Sequence, residues 1–403
     1  MIPLADRLAA VVPSASAVTS AAAKALIEAG ADIIDLGVGE PDFDTPTHIV
    51  AAAHEAALAG DTRYPFTGGT AAAKAAVIAK LARENRVEGY TPDEVIISNG
   101  AKQVIFNAFV ATLNPGDELM LCAPYFGPYA STAAMIGATT IAIDGAEKNS
   151  FKVTPDQVER SISSRTRWLL LNHPANPSGV TYTAEELNAL GAVVARHPHV
   201  NVMSDEIYEH IIFDGRPFVS FAEACPELRD RTLIVNGVSK AYAMTGWRVG
   251  WGAGPAELIT AMTTVQSQAT SGVCSIAQAA AVAALEGPQD HLAQFRAAFE
   301  RRRDLVVERV RTIPELSLAA PGGAFYAYIG CGQLLGMMTP AGFALENDAD
   351  VARYLLNDVG VASVPGAAYG MSPFFRISTA SADEVLAEAL DRIVAAIGRL
   401  ARR

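Results

Sequence analysis

The chain has 403 residues, half of them hydrophobic and 18% charged, with a net charge of −12. That length exceeds the usual reach of one hydrophobic core, so two domains are expected. The acidic balance argues against a nucleic-acid footprint, and no apolar run approaches the ~20 residues a membrane helix needs.

Residues 8–21, LAAVVPSASAVTSA, offer a short apolar run with ASA at 15–17, in the manner of a signal-peptide cleavage site. Asp6 stands against Arg7 where a signal peptide wants net positive charge, and Pro13 cuts the run short, so a mature N-terminal segment is expected. Cys122, Cys225, Cys274 and Cys331 lie tens of residues apart, without C-x-x-C or histidine at metal spacing. Free thiols in a reducing, cytoplasmic setting are expected. His197 and His199 read as a solvated loop pair, and no metal is assigned.

From residue 46 to about 285, short apolar runs alternate with helical patterns. EVIISNGAK (94–102), DELMLCAP (117–124), TRWLLLNHPANPSG (166–179), VNVMSDEIY (200–208) and TLIVNGVSK (232–240) each end a hydrophobic strand in polar residues. Helices between such runs indicate a mostly parallel sheet covered on both faces, with ligands gathering beyond the carboxyl ends of its strands. Residues 289–312 form an amphipathic helix in which RRRD (301–304) reads as a solvated face. The strands and helices beyond it form a smaller α+β unit. The expected division is a large domain at 46–288 and a small one made of 1–45 and 289–403.

Each strand end adds one chemical part. Gly100 turns the chain into a helix at Ala101 and Lys102, whose free N–H groups suit a phosphate. Phe126 offers an aromatic plate, and Asn176 an amide in a proline-stiffened loop. Asp205 comes directly after an apolar strand, where a carboxylate needs a partner, with Tyr208 three residues on. Ser239 and Lys240 come after the fifth strand, and Arg248 lies eight residues later with no acid in between. Taken singly, each has an ordinary reading: a helix start, core packing, an Asx turn, a surface charge. Taken together they match pyridoxal 5′-phosphate. The lysine condenses with its aldehyde, the carboxylate pairs with its ring nitrogen, and phenol and amide bond its ring oxygen. The aromatic stacks on the ring, and Arg248 neutralises the phosphate, aided by Ala101, Lys102 and Ser239.

LGVGEPDFDTP (36–46), NHPANPSG (172–179), SDEIYEH (204–210), NGVSKAYAMTGWRVG (236–250) and FRIS (375–378) together resemble class I aminotransferases of fold type I, closest to the bacterial aspartate aminotransferase subgroup. The likeness runs from about residue 10 to the C-terminus and implies an α/β fold with a large cofactor domain and a smaller α+β domain. It implies that Lys240, Asp205 and Tyr208 do the catalytic work and that Arg376 clamps the substrate α-carboxylate. Gly39 approaches substrate through its backbone. Tyr64 reaches the phosphate of a neighbouring subunit, which makes the enzyme a homodimer with shared active sites. Lys102 stands where the subgroup reads a distal carboxylate, which favours aspartate, glutamate or a dicarboxylate such as prephenate.

The sequence departs from that pattern in four places, one of them the loop GPYAS (127–131), where VSYPE is more usual. Phe126 replaces the usual stacking tryptophan, so an indole N–H is lost. Val12 replaces the lysine of K-P-S-A-T, which weakens the case for an acidic side chain. Cys274 replaces a small residue near the expected subunit interface and reads as a buried thiol. Aromatic or prephenate transfer and β-lyase chemistry on the same scaffold stay open. A ligand-sensing regulator would carry an extra DNA-binding segment of ~60 residues ahead of the domain, for which a likeness beginning near residue 10 leaves no room.

Overall fold

A computed structural model describes residues 2–402. In chain order its strands are β1 (Ile34–Asp35), β2 (Val95–Ser98), β3 (Glu118–Ala123), β4 (Thr139–Asp144), β5 (Thr166–Asn172), β6 (Asn201–Asp205), β7 (Thr232–Gly237), β8 (Gly250–Ala253), β9 (Tyr326–Gly330), β10 (Val361–Ala362), β11 (Val364–Pro365) and β12 (Phe374–Ser378). A seven-stranded sheet runs β2-β8-β7-β6-β5-β3-β4, parallel except for β8, which is antiparallel to both its neighbours. A three-stranded antiparallel sheet runs β11-β12-β9, and β1 pairs in parallel with β10.

The central strands read as unbroken apolar runs because both faces are covered. Ile96, Leu119, Leu121, Leu170, Met203, Leu233 and Val235 pack beneath Val104, Ile105 and Phe109 of helix Ala101–Thr112. The alternate residues face the other way. Met120, Leu169, Leu171 and Val202 meet Leu187, Leu190 and Val194 of helix Ala184–Ala195, while Ile97 and Ile234 meet Val77 and Leu81 of helix Ala71–Asn85. Side-chain caps start several of these helices: Thr70 Oγ1 accepts from Ala73 N, and Thr154 and Thr183 each form a capping box.

A separate core joins Leu36 to residues of β9, β12 and helices Asp290–Arg311, Asp348–Val359 and Asp383–Ile397. The sequence pattern does not reveal β4 or β8. β4 is a partly exposed edge strand, and β8, Gly-Trp-Gly-Ala, has the glycine content that ordinarily argues against a strand. Its glycines have a use here. A Cβ on Gly250 would strike the backbone N of Ala101, so the bare strand lets the start of helix Ala101–Thr112 lie directly on it.

RRRD at 301–304 requires a correction. Arg302 and Arg303 are each only 5% exposed, although the sequence reads as a solvated face. Arg303 pairs with Asp214 and donates to Pro321 O, while Arg302 pairs with Asp42 and Asp383. A charge run on an amphipathic helix looks solvated until acids from distant segments fold onto it. Among the described residues no helix is long and apolar enough to cross a membrane.

Candidate active site

Beyond the carboxyl ends of β5, β6 and β7 lies a cavity of about 470 Å³. Lys240, Asp205, Tyr208, Asn176, Phe126, Ala101, Lys102, Ser239, Arg248, Gly39 and Arg376 all line it. Gly100 caps the adjoining helix. Tyr64 lies elsewhere: it is 95% exposed, in an open groove that also contains Cys274. Cys274 is itself exposed on this single chain, in the same groove as Tyr64.

Asp205 ends β6 and is buried. Its Oδ2 accepts from Tyr129 Oη at 2.5 Å and its Oδ1 from Ile207 N at 3.3 Å. Burial pushes its carboxyl up to about 6, against the pull of those hydrogen bonds and of Lys240. No lysine or arginine forms an ion pair with it among the described residues. A carboxyl in that condition gains from a cationic N–H presented in the cavity.

Lys240 enters from the turn after β7. Its Nζ donates to Gly39 O at 2.5 Å and stands 5.8 Å from the centre of the Tyr208 ring. Burial, with Arg376 and Arg248 as repelling neighbours, lowers the amine to about 8. A lysine lowered in this way holds an appreciable share of the nucleophilic free base near neutrality.

A third corner of the cavity is built for an anion. The first N–H groups of helix Ala101–Thr112 have no intrahelical acceptor. Gly100, at φ 82°, makes the turn into that helix, and a Cβ there would collide with the guanidinium of Arg248. Arg248 donates to Thr245 O at 2.7 Å and Asn99 O at 3.5 Å and has no carboxylate partner among the described residues. Helix N–H groups, an exposed guanidinium and Ser239 therefore line one part of the cavity, the guanidinium unpaired with any carboxylate of the described residues.

Opposite lies Arg376, from the centre of β12, only 1% exposed. It donates to Asn176 Oδ1 at 3.1 Å, Ser16 Oγ at 3.3 Å and Gly37 O, and its Nε is buried without a partner. No carboxylate of the described residues pairs with it. Its guanidinium lies 4.4 Å from the centre of the Tyr326 ring, whose hydroxyl is 2.9 Å from that of Tyr208. Burial and the Tyr326 hydroxyl hold Tyr208 well above the usual phenol range, so it stays a neutral donor.

Sequence reasoning missed Tyr129 and Tyr326. Tyr129 had a signal: it lies three residues beyond Phe126, and that spacing turns both toward one volume at the start of helix Pro128–Ile136. Tyr326 had none, being 118 residues from the tyrosine it bonds. Behind the site, SDEIYEH carries two further buried acids. Burial opposes ionisation of Glu209, but Lys80, His210 and Asn85 outweigh it and hold the carboxyl down at about 2. Asn236 also donates to Glu209, at 2.8 Å, which ties the end of β7 to the turn carrying Tyr208.

Residues 31–393 match the family model for aminotransferase class I and II. The chain is 49% identical to the aspartate/prephenate aminotransferase of Cereibacter sphaeroides over 392 residues, covering 97% of this chain and 98% of that one. It is likewise 49% identical to the aspartate aminotransferase of Rhizobium meliloti over 380 residues, covering 94% and 92%. Among solved structures, an aspartate aminotransferase from Rhizobium meliloti superposes with a TM-score of 0.96 at 47% identity, covering all of both chains. One from Thermus thermophilus with maleate superposes with a TM-score of 0.91 at 36% identity, covering 98% of this chain and 100% of that one.

Proposed function

The chain belongs to the class I and II aminotransferase family and is an aminotransferase, and from that premise we propose that it carries pyridoxal 5′-phosphate on Lys240 and moves amino groups between an acidic L-amino acid and a 2-oxo acid. The observation that carries this reading is the buried fork of Arg376, with no carboxylate partner among the described residues, in one cavity with Lys240 and Asp205. A guanidinium in that state suits a carboxylate brought by substrate.

When bound, the cofactor supplies an aldehyde for the lysine amine and a protonated ring that accepts the electron pair left at the substrate Cα. Residues 46–288 supply the parts that hold it. Asp205 keeps the proton on the ring nitrogen, with Tyr129 fixing its carboxylate. Tyr208 and Asn176 bond the ring oxygen, and Phe126 covers the ring face. Arg248, Ser239 and the N–H groups of Ala101 and Lys102 hold the phosphate. Lys240 would take up the substrate Cα proton and hand it back, as base and then acid. Residues 1–45 and 289–403 contribute Gly39 and Arg376, which orient the substrate carboxylate.

Aspartate and glutamate are favoured by Lys102, whose Nζ stands 5.5 Å from the centre of the Phe126 ring at the cavity wall, and by the names of the similar proteins. A ring-bearing acid such as prephenate is a second reading. It is supported by a groove of about 410 Å³ sharing Phe126, Lys102, Ser14 and Ser16 with the cavity and continuing past Val12 and Met135. The test is to mix the cofactor-loaded enzyme with single amino acids and measure loss of the cofactor's visible absorbance. Bleaching by aspartate and glutamate is expected. Bleaching by phenylalanine or tyrosine alone would contradict the acidic preference.

The lowered amine gives a pH signature. Attachment requires neutral Lys240, so the rate at which apoprotein captures the cofactor should rise with pH through about 8 and then level. A solvated lysine, at about 10.4, would keep rising beyond pH 10. Stopped-flow absorbance from pH 6 to 10.5 separates the two. A homodimer is supported by Tyr64 and Phe66, 95% and 83% exposed on one short segment, from which the Tyr64 hydroxyl would complete the phosphate corner of a second copy. The free thiols favour the cytoplasm.

A further inference from the structure

Residues 36–46 cross the cavity as a strap, and two of its carbonyls hold the two working cations. Gly37 O accepts from Arg376, and Gly39 O accepts from Lys240 Nζ at 2.5 Å. One end of the strap is tied by backbone: Leu36 N donates to Ala362 O at 3.1 Å and Leu36 O accepts from Ser378 N at 2.7 Å. The other end is tied by Thr45, whose hydroxyl donates to Ala243 O at 2.7 Å and accepts from Trp247 Nε1 at 3.1 Å.

Between these ties the strap turns at Asp42 and Phe43. There Arg302 of helix Asp290–Arg311 grips it. The two terminal nitrogens of Arg302 donate to the two oxygens of Asp42, each at 2.8 Å. Its Nε donates to Asp383 Oδ1 at 2.9 Å, at the first residue of helix Asp383–Ile397. The guanidinium stands 5.3 Å from the Phe43 ring and 5.9 Å from the Phe299 ring, and the side chain is only 6% exposed. Phe43 in turn stacks on Phe295 at 4.1 Å. A charge so enclosed, spent on three directed bonds, fixes geometry more than it adds stability. Nothing in the amino-transfer chemistry uses it directly.

We propose that Arg302 is a positioning residue for amino transfer: by clamping Asp42 to the start of the C-terminal helix it sets where the Gly37 and Gly39 carbonyls stand, and hence how Arg376 and Lys240 meet substrate. The proposal rests on the amino-transfer reading above. Lysine at 302 would keep the charge but cannot hold both oxygens of Asp42 and reach Asp383 as well. Arg301 is the internal control. It bonds Asp383 at 2.6 and 3.1 Å and has no bond to Asp42.

The experiment compares full-length, cofactor-loaded wild type with Arg302→Lys, Asp42→Asn, their double variant and Arg301→Lys. Steady-state KM and kcat are measured for aspartate against 2-oxoglutarate, and the Kd of maleate, an unreactive dicarboxylate, by calorimetry. Arg302→Lys and Asp42→Asn should each raise KM and the maleate Kd about tenfold, with kcat within about threefold, and the double variant should be no worse than either single one. Arg301→Lys should match wild type. If Arg302→Lys does not fold, Asp42→Asn, at a partly exposed site, carries the comparison alone. Unchanged KM and Kd in a wild-type-active background, even with a lowered Tm, overturn the clamp and leave Arg302 a purely structural residue. Absent turnover of aspartate with 2-oxoglutarate in the wild type overturns the acidic-substrate reading on which the clamp rests, and the clamp with it.

Discussion

Lys240→Ala is expected to lower turnover by on the order of 10⁴-fold or more, with every amino acid tried. General acid–base groups usually contribute ~10²–10⁴-fold, and on the proposed reading Lys240 would be both that group and the covalent anchor, so its loss would fall at or beyond the top of that range. No other side chain can take over. Lys102 is the other lysine lining the cavity, and it stands beside Phe126, while Lys240 is the one whose amine meets Gly39 O. Arginines stay protonated and cannot act as the base. Steady-state assays at saturating cofactor check this, and activity within tenfold of wild type would remove Lys240 from the chemistry.

Arg376→Ala is expected to raise KM on the order of 10²-fold for every amino and 2-oxo acid, with a smaller change in kcat. Two charge-assisted hydrogen bonds to a carboxylate, at ~1.5 kcal/mol each, amount to about two decades of affinity. The site can spare no other fork: Arg248 donates to Thr245 O at the far corner that the proposed reading gives to the phosphate, and Arg302 and Arg303 are paired with acids. The variant also leaves Asn176 Oδ1 and Gly37 O without their donor, so a matched Tm measurement accompanies the kinetics. A KM unchanged from wild type for aspartate would remove the carboxylate role.

Much of the site could be read in the sequence because a parallel sheet gathers the carboxyl ends of its strands, and the loops leaving them, along one edge. Asp205, Lys240 and Asn176 each sit at or a few residues beyond the end of an apolar run, and the folded sheet brings those ends together. Arg376 could not be found that way. It sits inside a strand of the other sheet, with ordinary apolar neighbours in sequence, and only the likeness to a family gave it a role. Tyr326 escaped for the same reason, since its value lies in two contacts made across the chain. Arg302 and Arg303 misled because helical periodicity shows which face is polar, while acids arriving from residues 42, 214 and 383 decide whether that face is wet. Cys274 shows the converse. Its thiol, expected near a subunit interface, lies open on a single chain beside the exposed Tyr64, where only a second copy could cover it.

The tether at Lys240 is tested most directly by reducing freshly prepared, cofactor-loaded protein with borohydride and mapping its peptides by mass. One pyridoxyl phosphate fixed on the peptide that carries Lys240, and on no other, is the expected result. A bare amine at that position, or the label on Lys102 instead, would contradict it.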